Sequence, residues 1–223
     1  MKNSKLRFEI LPSKTRKAFF YVAKNFNWLN DYGLYLAGGT ALALQVGHRQ
    51  SVDLDFFTKK SFFDNKAIER KLIKSNQWEM TYLEDGTIYG KLISAKMSLI
   101  AYPFFIPAKP FLQLGEIKIL SKEDIAVMKI IAISQRGRKR DFFDMYWYFN
   151  NCEPLYDVLA RVKKQYPHQK HNMHHIIKSL VYFADAEKDP MPKIYFRATW
   201  KEVKIFFEKE ILKITKDVMN LKM

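Results

Sequence analysis

Two aspartates separated by a single residue constrain the fold of this chain more than any other feature. Asp53 and Asp55 lie in the run SVDLDFF (residues 51–57), where apolar and acidic side chains alternate. Such alternation predicts a β-strand over residues 52–57 with one buried face. The two carboxylates would share the other face, with their Cα atoms about 6.5–7 Å apart. Carboxylates this close repel each other, so the pattern favours a cation between them, and Mg²⁺ prefers such oxygen ligands. The buried face would consist of Val52, Leu54 and Phe56.

A glycine pair precedes the aspartates in the chain. Gly38 and Gly39 follow a short apolar segment and come just before a helix that we expect to begin near Thr40 and to end near Gly47. Glycine lets the backbone approach a ligand closely, and a helix N-terminus directs free N–H groups at an anion, typically a phosphate. Each motif alone is common on solvated surfaces. Together, in this order and spacing, they indicate a site for a nucleoside triphosphate.

The segment after the aspartates predicts further strands. Residues 78–84 and 87–94 flank Asp85-Gly86, a pair that favours a two-residue hairpin turn. Residues 96–105 predict another strand, and residues 117–120 a short one that leads to Ser121. Ser121 is well placed to cap the helix that follows. Downstream of residue 150 the pattern is helical.

The helix that begins after Ser121 carries an unusual lysine. Its body is apolar on every side except for Lys129, and a lysine is rarely buried without a partner. Either the long side chain reaches solvent, or its ammonium compensates a negative charge such as a triphosphate. Asp141 and Asp144 lie three residues apart on the first turn of the next helix, so they share a face. Acidic residues at that end also suit the helix dipole.

Composition narrows the class of protein. The net charge of the 223 residues is +15, from 38 Lys and Arg against 23 Asp and Glu, which suggests a polyanionic partner such as RNA or simply a lysine-rich surface. The single Cys152 excludes an intramolecular disulfide and fits a reducing compartment. We see no secretory signal in residues 1–13 and no apolar run of about 18 residues, so we expect a cytoplasmic protein without a membrane span.

Two stretches resemble a known family. LAGGTALALQVGHRQSVDLDFF (36–57) and MKIIAISQRGRKRDFFDMY (128–146) are similar to the AbiEii/AbiGii-type abortive-infection toxins, within the nucleotidyltransferase superfamily that shares a fold with DNA polymerase β. The resemblance implies an α+β fold, in which a small mixed β-sheet is flanked by helices and followed by C-terminal helices. It also implies a nucleotidyltransferase core over residues 1–150 and a helical region packed on that core over residues 151–223.

The resemblance assigns roles to residues. Asp53 and Asp55 would bind Mg²⁺, Lys129 would contact the nucleotide, and Asp141 would complete the catalytic set. The remaining nucleotide-binding residues would be Gly38, Gly39, Thr40, Arg49 and Ser51. The implied reaction moves a nucleoside monophosphate from an NTP to a hydroxyl, on an RNA 3′ end (of a tRNA, for example) or on a protein. The implied biology is a toxin of a toxin–antitoxin or phage-defence system, with a separately encoded antitoxin as partner.

One departure from the superfamily keeps alternatives open. Many related enzymes carry a third carboxylate on the strand after the hairpin, but the segment KMSLIAY (96–102) has none. Asp141 could supply the charge, two carboxylates could suffice, or the enzyme could be degraded. The last case would leave a basic RNA-binding module that is indifferent to Mg²⁺. A glycosyltransferase also uses Asp-x-Asp to hold a metal and a nucleotide sugar, but the glycine pair and Lys129 argue against that class.

Overall fold

A computed structural model describes residues 6–169 and 171–220 of the chain. The chain forms two compact units, Met1–Ile125 and Ala126–Met223. The boundary between them lies inside a helix and precedes the predicted boundary at residue 150. Compactness does not show which residues the reaction needs, so a catalytic core over residues 1–150 remains a prediction.

A seven-stranded mixed sheet, counted over the described residues, forms the centre of the first unit. The strands are β1 (Tyr35–Ala37), β2 (Leu54–Thr58), β3 (Trp78–Glu84), β4 (Thr87–Leu92), β5 (Ala95–Ala101), β6 (Leu112–Leu114) and β7 (Ile117–Ile119). Their order across the sheet is β3-β4-β5-β2-β1-β7-β6. Strand β2 runs antiparallel to β1 and parallel to β5, while β1 runs parallel to β7. The predicted α+β class and the small mixed sheet are confirmed.

Helices cover this sheet and complete its core. The first unit contains α1 (Ser13–Asn25), α2 (Gly38–Val46) and α3 (Asn65–Ile73), and α4 (Lys122–Arg136) crosses into the second unit. Helix α2 ends where Gly47 adopts a left-handed conformation, with φ of +70°, as the glycine there predicts. The helix is apolar, and its residues Ala41 to Leu44 are fully buried, so it packs tightly and fixes the glycine pair at its N-terminus.

The strand that carries the aspartates is shorter than predicted. Leu54 and Phe56 are fully buried, as expected, but β2 begins at Leu54 and Val52 is 47% exposed. The Val52 carbonyl accepts a hydrogen bond from Thr15 Oγ1 at 2.9 Å, so this part of the chain pairs with a side chain and not with a strand. The assignment of Val52 to the buried face was therefore wrong, and Asp53 lies just before the strand.

The second unit is helical. It contains the end of α4, followed by α5 (Lys139–Asn151), α6 (Leu155–Gln165), α7 (Met173–Ser179), α8 (Ala184–Glu187) and α9 (Trp200–Asn220). Aromatic rings form its core: Phe142 lies 5.3 Å from Phe183, 5.7 Å from Trp200 and 5.3 Å from Phe207 between ring centroids. Edge and tilted contacts of this kind join α5 to α8 and α9. No helix among the described residues is long and apolar enough to cross a membrane.

Candidate active site

The turn between β1 and α2 brings the glycine pair against an aspartate. Ala37 pairs with Asp55 across the two antiparallel strands, so Gly38 follows directly beside Asp55. Gly38 has φ of +69°, and a Cβ atom at this position would lie 3.2 Å from Asp55 Oδ2. Only glycine adopts this conformation readily. The first N–H groups of α2 have no partner within the helix, so the backbone offers donors for an anion next to the carboxylate.

The side chain of Arg49 leaves no room for a side chain at position 39, so this position requires glycine. The Arg49 guanidinium occupies the space into which a side chain at residue 39 would project, and Arg49 is only 4% exposed. Its Nη1 donates a hydrogen bond of 2.8 Å to the Gln50 carbonyl, which fixes the group in place. The sequence therefore places a buried cation directly behind the N-terminus of α2. Its predicted contact with nucleotide remains a proposal.

Thr40 and Ser51 connect helix α2 to the loop that carries Asp53. Thr40 Oγ1 lies 2.8 Å from Ser51 Oγ and also donates to the Asp53 carbonyl. Both side chains are buried, with exposed fractions of 1% for Thr40 and 7% for Ser51. Through these bonds α2 determines where Asp53 sits. The hydroxyls thus organise the site, and their predicted role in binding nucleotide stays a proposal.

A serine lies next to Asp55 on the neighbouring strand. Strands β2 and β5 run parallel with Asp55 opposite Ser98, and Ser98 Oγ donates a hydrogen bond of 2.7 Å to Asp55 Oδ1. The strand on which related enzymes carry a third carboxylate thus presents a hydroxyl at this position. A hydroxyl orients Asp55 without adding negative charge. Sequence reasoning missed Ser98, because it searched that segment only for acidic residues.

Both aspartates line a pocket of about 250 Å³. The rest of the lining comes from the neighbouring strands β5, β4 and β3 and includes Thr81, Tyr89, Lys91 and Lys96. Sequence reasoning missed these residues as well. The alternation of Tyr89 with Lys91, and of Lys96 with Ser98, was a readable signal that each pair shares a face of its strand. What it could not show is that this face belongs to the pocket of the aspartates.

The aspartate pair fits a Mg²⁺ ion. Asp53 and Asp55 are half-buried, offer only oxygen ligands and line one pocket, and Asp55 lies beside the N-terminus of α2. Among the described residues, no group of three or more His, Cys, Asp or Glu is arranged to hold a metal ion. Mg²⁺ is commonly bound through one or two carboxylates and completes its shell with water and substrate phosphates, so two carboxylates are sufficient donors.

The second unit contains a buried charge cluster around Lys129. Lys129 Nζ forms ion pairs with Asp141 and, at 2.7 Å, with Asp144 Oδ2. Lys129 is 4% exposed and both carboxylates are fully buried, so its side chain does not reach solvent. Arg136 Nη2 lies 3.4 Å from Asp141 Oδ2 and adds a second positive group at the edge of the cluster. The roles predicted for Lys129 and Asp141 toward nucleotide remain proposals.

One family model and one protein of known sequence each match most of this chain. The family model for the nucleotidyl transferase AbiEii toxin of type IV toxin–antitoxin systems matches residues 29–78 and 100–213. An uncharacterized protein of Aquifex aeolicus is 37% identical over 186 residues, which cover 82% of this chain and 87% of that protein.

Solved structures share the fold. A Helicobacter pylori protein described as a nucleotidyltransferase has a TM-score of 0.54 at 19% identity, covering 94% of this chain and 98% of its own. The nucleotidyltransferase toxin MenT4 of Mycobacterium tuberculosis has a TM-score of 0.52 at 12% identity, covering 90% of this chain and 84% of its own. With a family model that matches most of its length, the chain belongs to the AbiEii nucleotidyltransferase toxins.

Proposed function

We propose that this protein transfers a nucleoside monophosphate from an NTP to a hydroxyl acceptor, with Mg²⁺ bound by Asp53 and Asp55. The observation that carries the proposal is the contact between the glycine turn before α2 and the Asp55 side chain of β2. The glycine turn at the N-terminus of α2 lies directly against Asp55. The backbone N–H groups that would bind phosphate are therefore next to a carboxylate that would bind the metal. A site of this kind acts by positioning and by electrostatic stabilisation and needs no covalent nucleophile.

Each group of the first unit has a defined task in this reaction. The backbone N–H groups of Gly38, Gly39 and Thr40 bind the terminal phosphates, and buried Arg49 adds positive charge behind them. Asp53 and Asp55 would hold the Mg²⁺ ion, which would supply positive charge at the phosphates when bound. Ser98 keeps Asp55 in position through its hydrogen bond.

The Lys129 cluster is our proposed second contribution. By resemblance to the family, Lys129 would contact the nucleotide and Asp141 would complete the catalytic set. The ion pairs hold the Lys129 ammonium in one position between two buried carboxylates, and they contribute to packing in the second unit. The family further supports a toxin role with a separately encoded antitoxin. We place the protein in the cytoplasm, in line with its single Cys152.

The test is nucleotide transfer by Asp53→Asn. Purified protein is incubated with total RNA, Mg²⁺ and each of the four NTPs, radiolabelled at the α-phosphate. We expect label on an acceptor with the wild type, and a loss of at least about a hundredfold with Asp53→Asn, because removing a metal carboxylate removes charge stabilisation. Asp157→Asn, an exposed position in α6, is the matched control and should keep full activity.

The outcomes separate the alternatives. Label on RNA assigns the acceptor to nucleic acid, and label on protein bands assigns it to a side chain. Full activity of Asp53→Asn would contradict the mechanism. Salt-sensitive RNA binding without transfer by the wild type would instead favour a catalytically degraded, basic RNA-binding module.

A further inference from the structure

Four neighbouring strands present one continuous face beside the aspartates. Asp55 pairs with Ser98, Ser98 pairs with Tyr89, and Tyr89 pairs with Tyr82. Residues directly opposite each other on neighbouring strands point to the same face of a sheet. The face of Asp55 therefore extends across β5 and β4 to β3. We call the outer part of this face, formed by Tyr82, Tyr89, Lys91 and Lys96, the hairpin face.

Two exposed tyrosines stack on the hairpin face. Tyr82 and Tyr89 are 46% and 41% exposed, and their ring centroids lie 5.6 Å apart with planes 24° from parallel. Tyr82 donates its hydroxyl proton to Glu84, and this hydrogen bond raises the pKa of Tyr82 above its ordinary value, so the phenol stays neutral. Exposed rings beside the pocket of the aspartates provide a surface on which a planar base can stack.

Two lysines add positive charge to the same face. Lys91 lies opposite Lys96 in the β4–β5 register, and both side chains line the pocket. Like charges directly opposite each other are unfavourable unless an anion lies between them. Lys91 also forms an ion pair with Glu79 on β3, with 3.2 Å between Nζ and Oε1. In the part of the chain that the structure describes, exposed Lys96 has no ion pair, so its charge is available to a phosphate.

The position of this face assigns it to the acceptor. The N–H groups proposed to bind the phosphates lie on the β1 side of Asp55, at the N-terminus of α2. The hairpin face lies on the β5 side of Asp55. In an in-line displacement the attacking hydroxyl and the leaving group occupy opposite sides of the transferred phosphoryl group. If the leaving pyrophosphate lies at α2, the attacking hydroxyl approaches from the hairpin face.

We propose that the hairpin face is an acceptor subsite for the end of a single-stranded nucleic acid, with the terminal bases stacked on Tyr89 and Tyr82 and a phosphate bound by Lys96 and Lys91. This inference rests on the proposed function, since it deepens the same site. Stacking with backbone charge recognition is the usual mode of single-strand binding. The residues concerned lie in 79–99, between the two ranges that the family model matches.

The test compares Tyr89→Ala with Tyr89→Phe, which keeps the ring. In the transfer assay with total RNA we expect Tyr89→Ala to raise the KM for RNA about tenfold, as loss of one stacked base implies. The KM for the NTP should not change, and Tyr89→Phe should behave like the wild type. Lys96→Ala should also raise the KM for RNA, whereas Lys201→Ala, an exposed lysine of α9, should not.

A binding measurement makes the inference independent of catalysis. A fluorescent single-stranded oligoribonucleotide of mixed sequence is titrated with Asp53→Asn protein, with and without Tyr89→Ala. We expect about tenfold weaker binding with Tyr89→Ala. Equal binding by both proteins, or label transferred to protein instead of RNA, would overturn the inference.

The two proposals fail in different ways. Transfer to RNA that is insensitive to Tyr89→Ala and Lys96→Ala would overturn the acceptor subsite and leave the transferase intact. No transfer by the wild type, with oligonucleotide binding that still requires Tyr89, would overturn the transferase and leave a single-strand binding face. Urea unfolding of each variant checks that the substitution, at an exposed position, has not unfolded the protein.

Discussion

At the scale of single residues, the site depends on two glycines for different reasons. Gly38 is required by its positive φ and by the nearness of Asp55, whereas Gly39 is required by the Arg49 guanidinium. The first requirement belongs to the backbone and the second to a side chain. A change of Arg49 can therefore make room for a side chain at position 39, whereas position 38 keeps its positive φ whatever its neighbours are.

This difference predicts a coupling between residues 39 and 49. Gly39→Ala should lower the free energy of unfolding by about 1–3 kcal/mol, because its Cβ overlaps the buried guanidinium. In Gly39→Ala/Arg49→Ala the overlap is absent, so the double variant should lose less stability than the two single losses combined. Urea unfolding of the four proteins measures the coupling. Strict additivity would show that the Arg49 side chain moves aside without penalty.

At the scale of secondary-structure elements, a single lysine joins two helices. Lys129 on α4 contacts Asp141 and Asp144 on α5, and the three side chains are almost completely buried. Burying charges is unfavourable unless each has a partner with good geometry. The pairing of these helices therefore depends on the balance of charge among these side chains as well as on apolar contact.

Lys129→Met tests that dependence. The substitution keeps the volume but leaves two buried carboxylates close together, so we expect the free energy of unfolding to fall by about 3–5 kcal/mol. Adding Asp144→Asn to Lys129→Met removes one of the two negative charges and should restore part of the loss. Lys201→Met, at an exposed position in α9, is the control and should change stability little. A loss equal to that of the control would contradict a structural role for the cluster.

At the scale of the whole molecule, positive charge is distributed and not confined to one region. The formal net charge is +7 in Met1–Ile125 and +8 in Ala126–Met223, so both compact units contribute to the total of +15. Charge of this kind attracts any polyanion and accelerates encounter, but it does not select a sequence. Selection of an acceptor must come from local features such as the hairpin face.

The salt dependence of RNA binding should therefore be steep. We expect the logarithm of the association constant for a single-stranded oligoribonucleotide to fall with the logarithm of the salt concentration, with a slope of about −3 or steeper. Lys96→Ala should make the slope shallower by about 0.7, the value for one lost phosphate contact to a single strand. Asp53→Asn should retain the binding, since it adds no negative charge. A slope near zero would exclude electrostatic recruitment of RNA.

Local patterns predicted much of this fold correctly. The glycine pair before an apolar helix, the end of that helix at Gly47, and the hairpin at Asp85-Gly86 were readable because each depends on residues close together in the chain. The helix that carries Lys129 was also readable, but its ion pairs with Asp141 and Asp144 were not predicted. The exposure of Val52 was not readable, because it depends on a hydrogen bond from Thr15, which is distant in sequence.

The sequence by itself determined which groups the candidate site in the first unit contains: the acidic pair and the glycine turn follow from residue type and spacing. Only the tertiary structure decided what surrounds them. The parallel pairing of β2 with β5 places Ser98 against Asp55 across 43 positions of the chain, and the hairpin adds Tyr89 and Tyr82 to the same face. Strand order and register are set by contacts between distant segments, which the periodicity of any one segment does not contain.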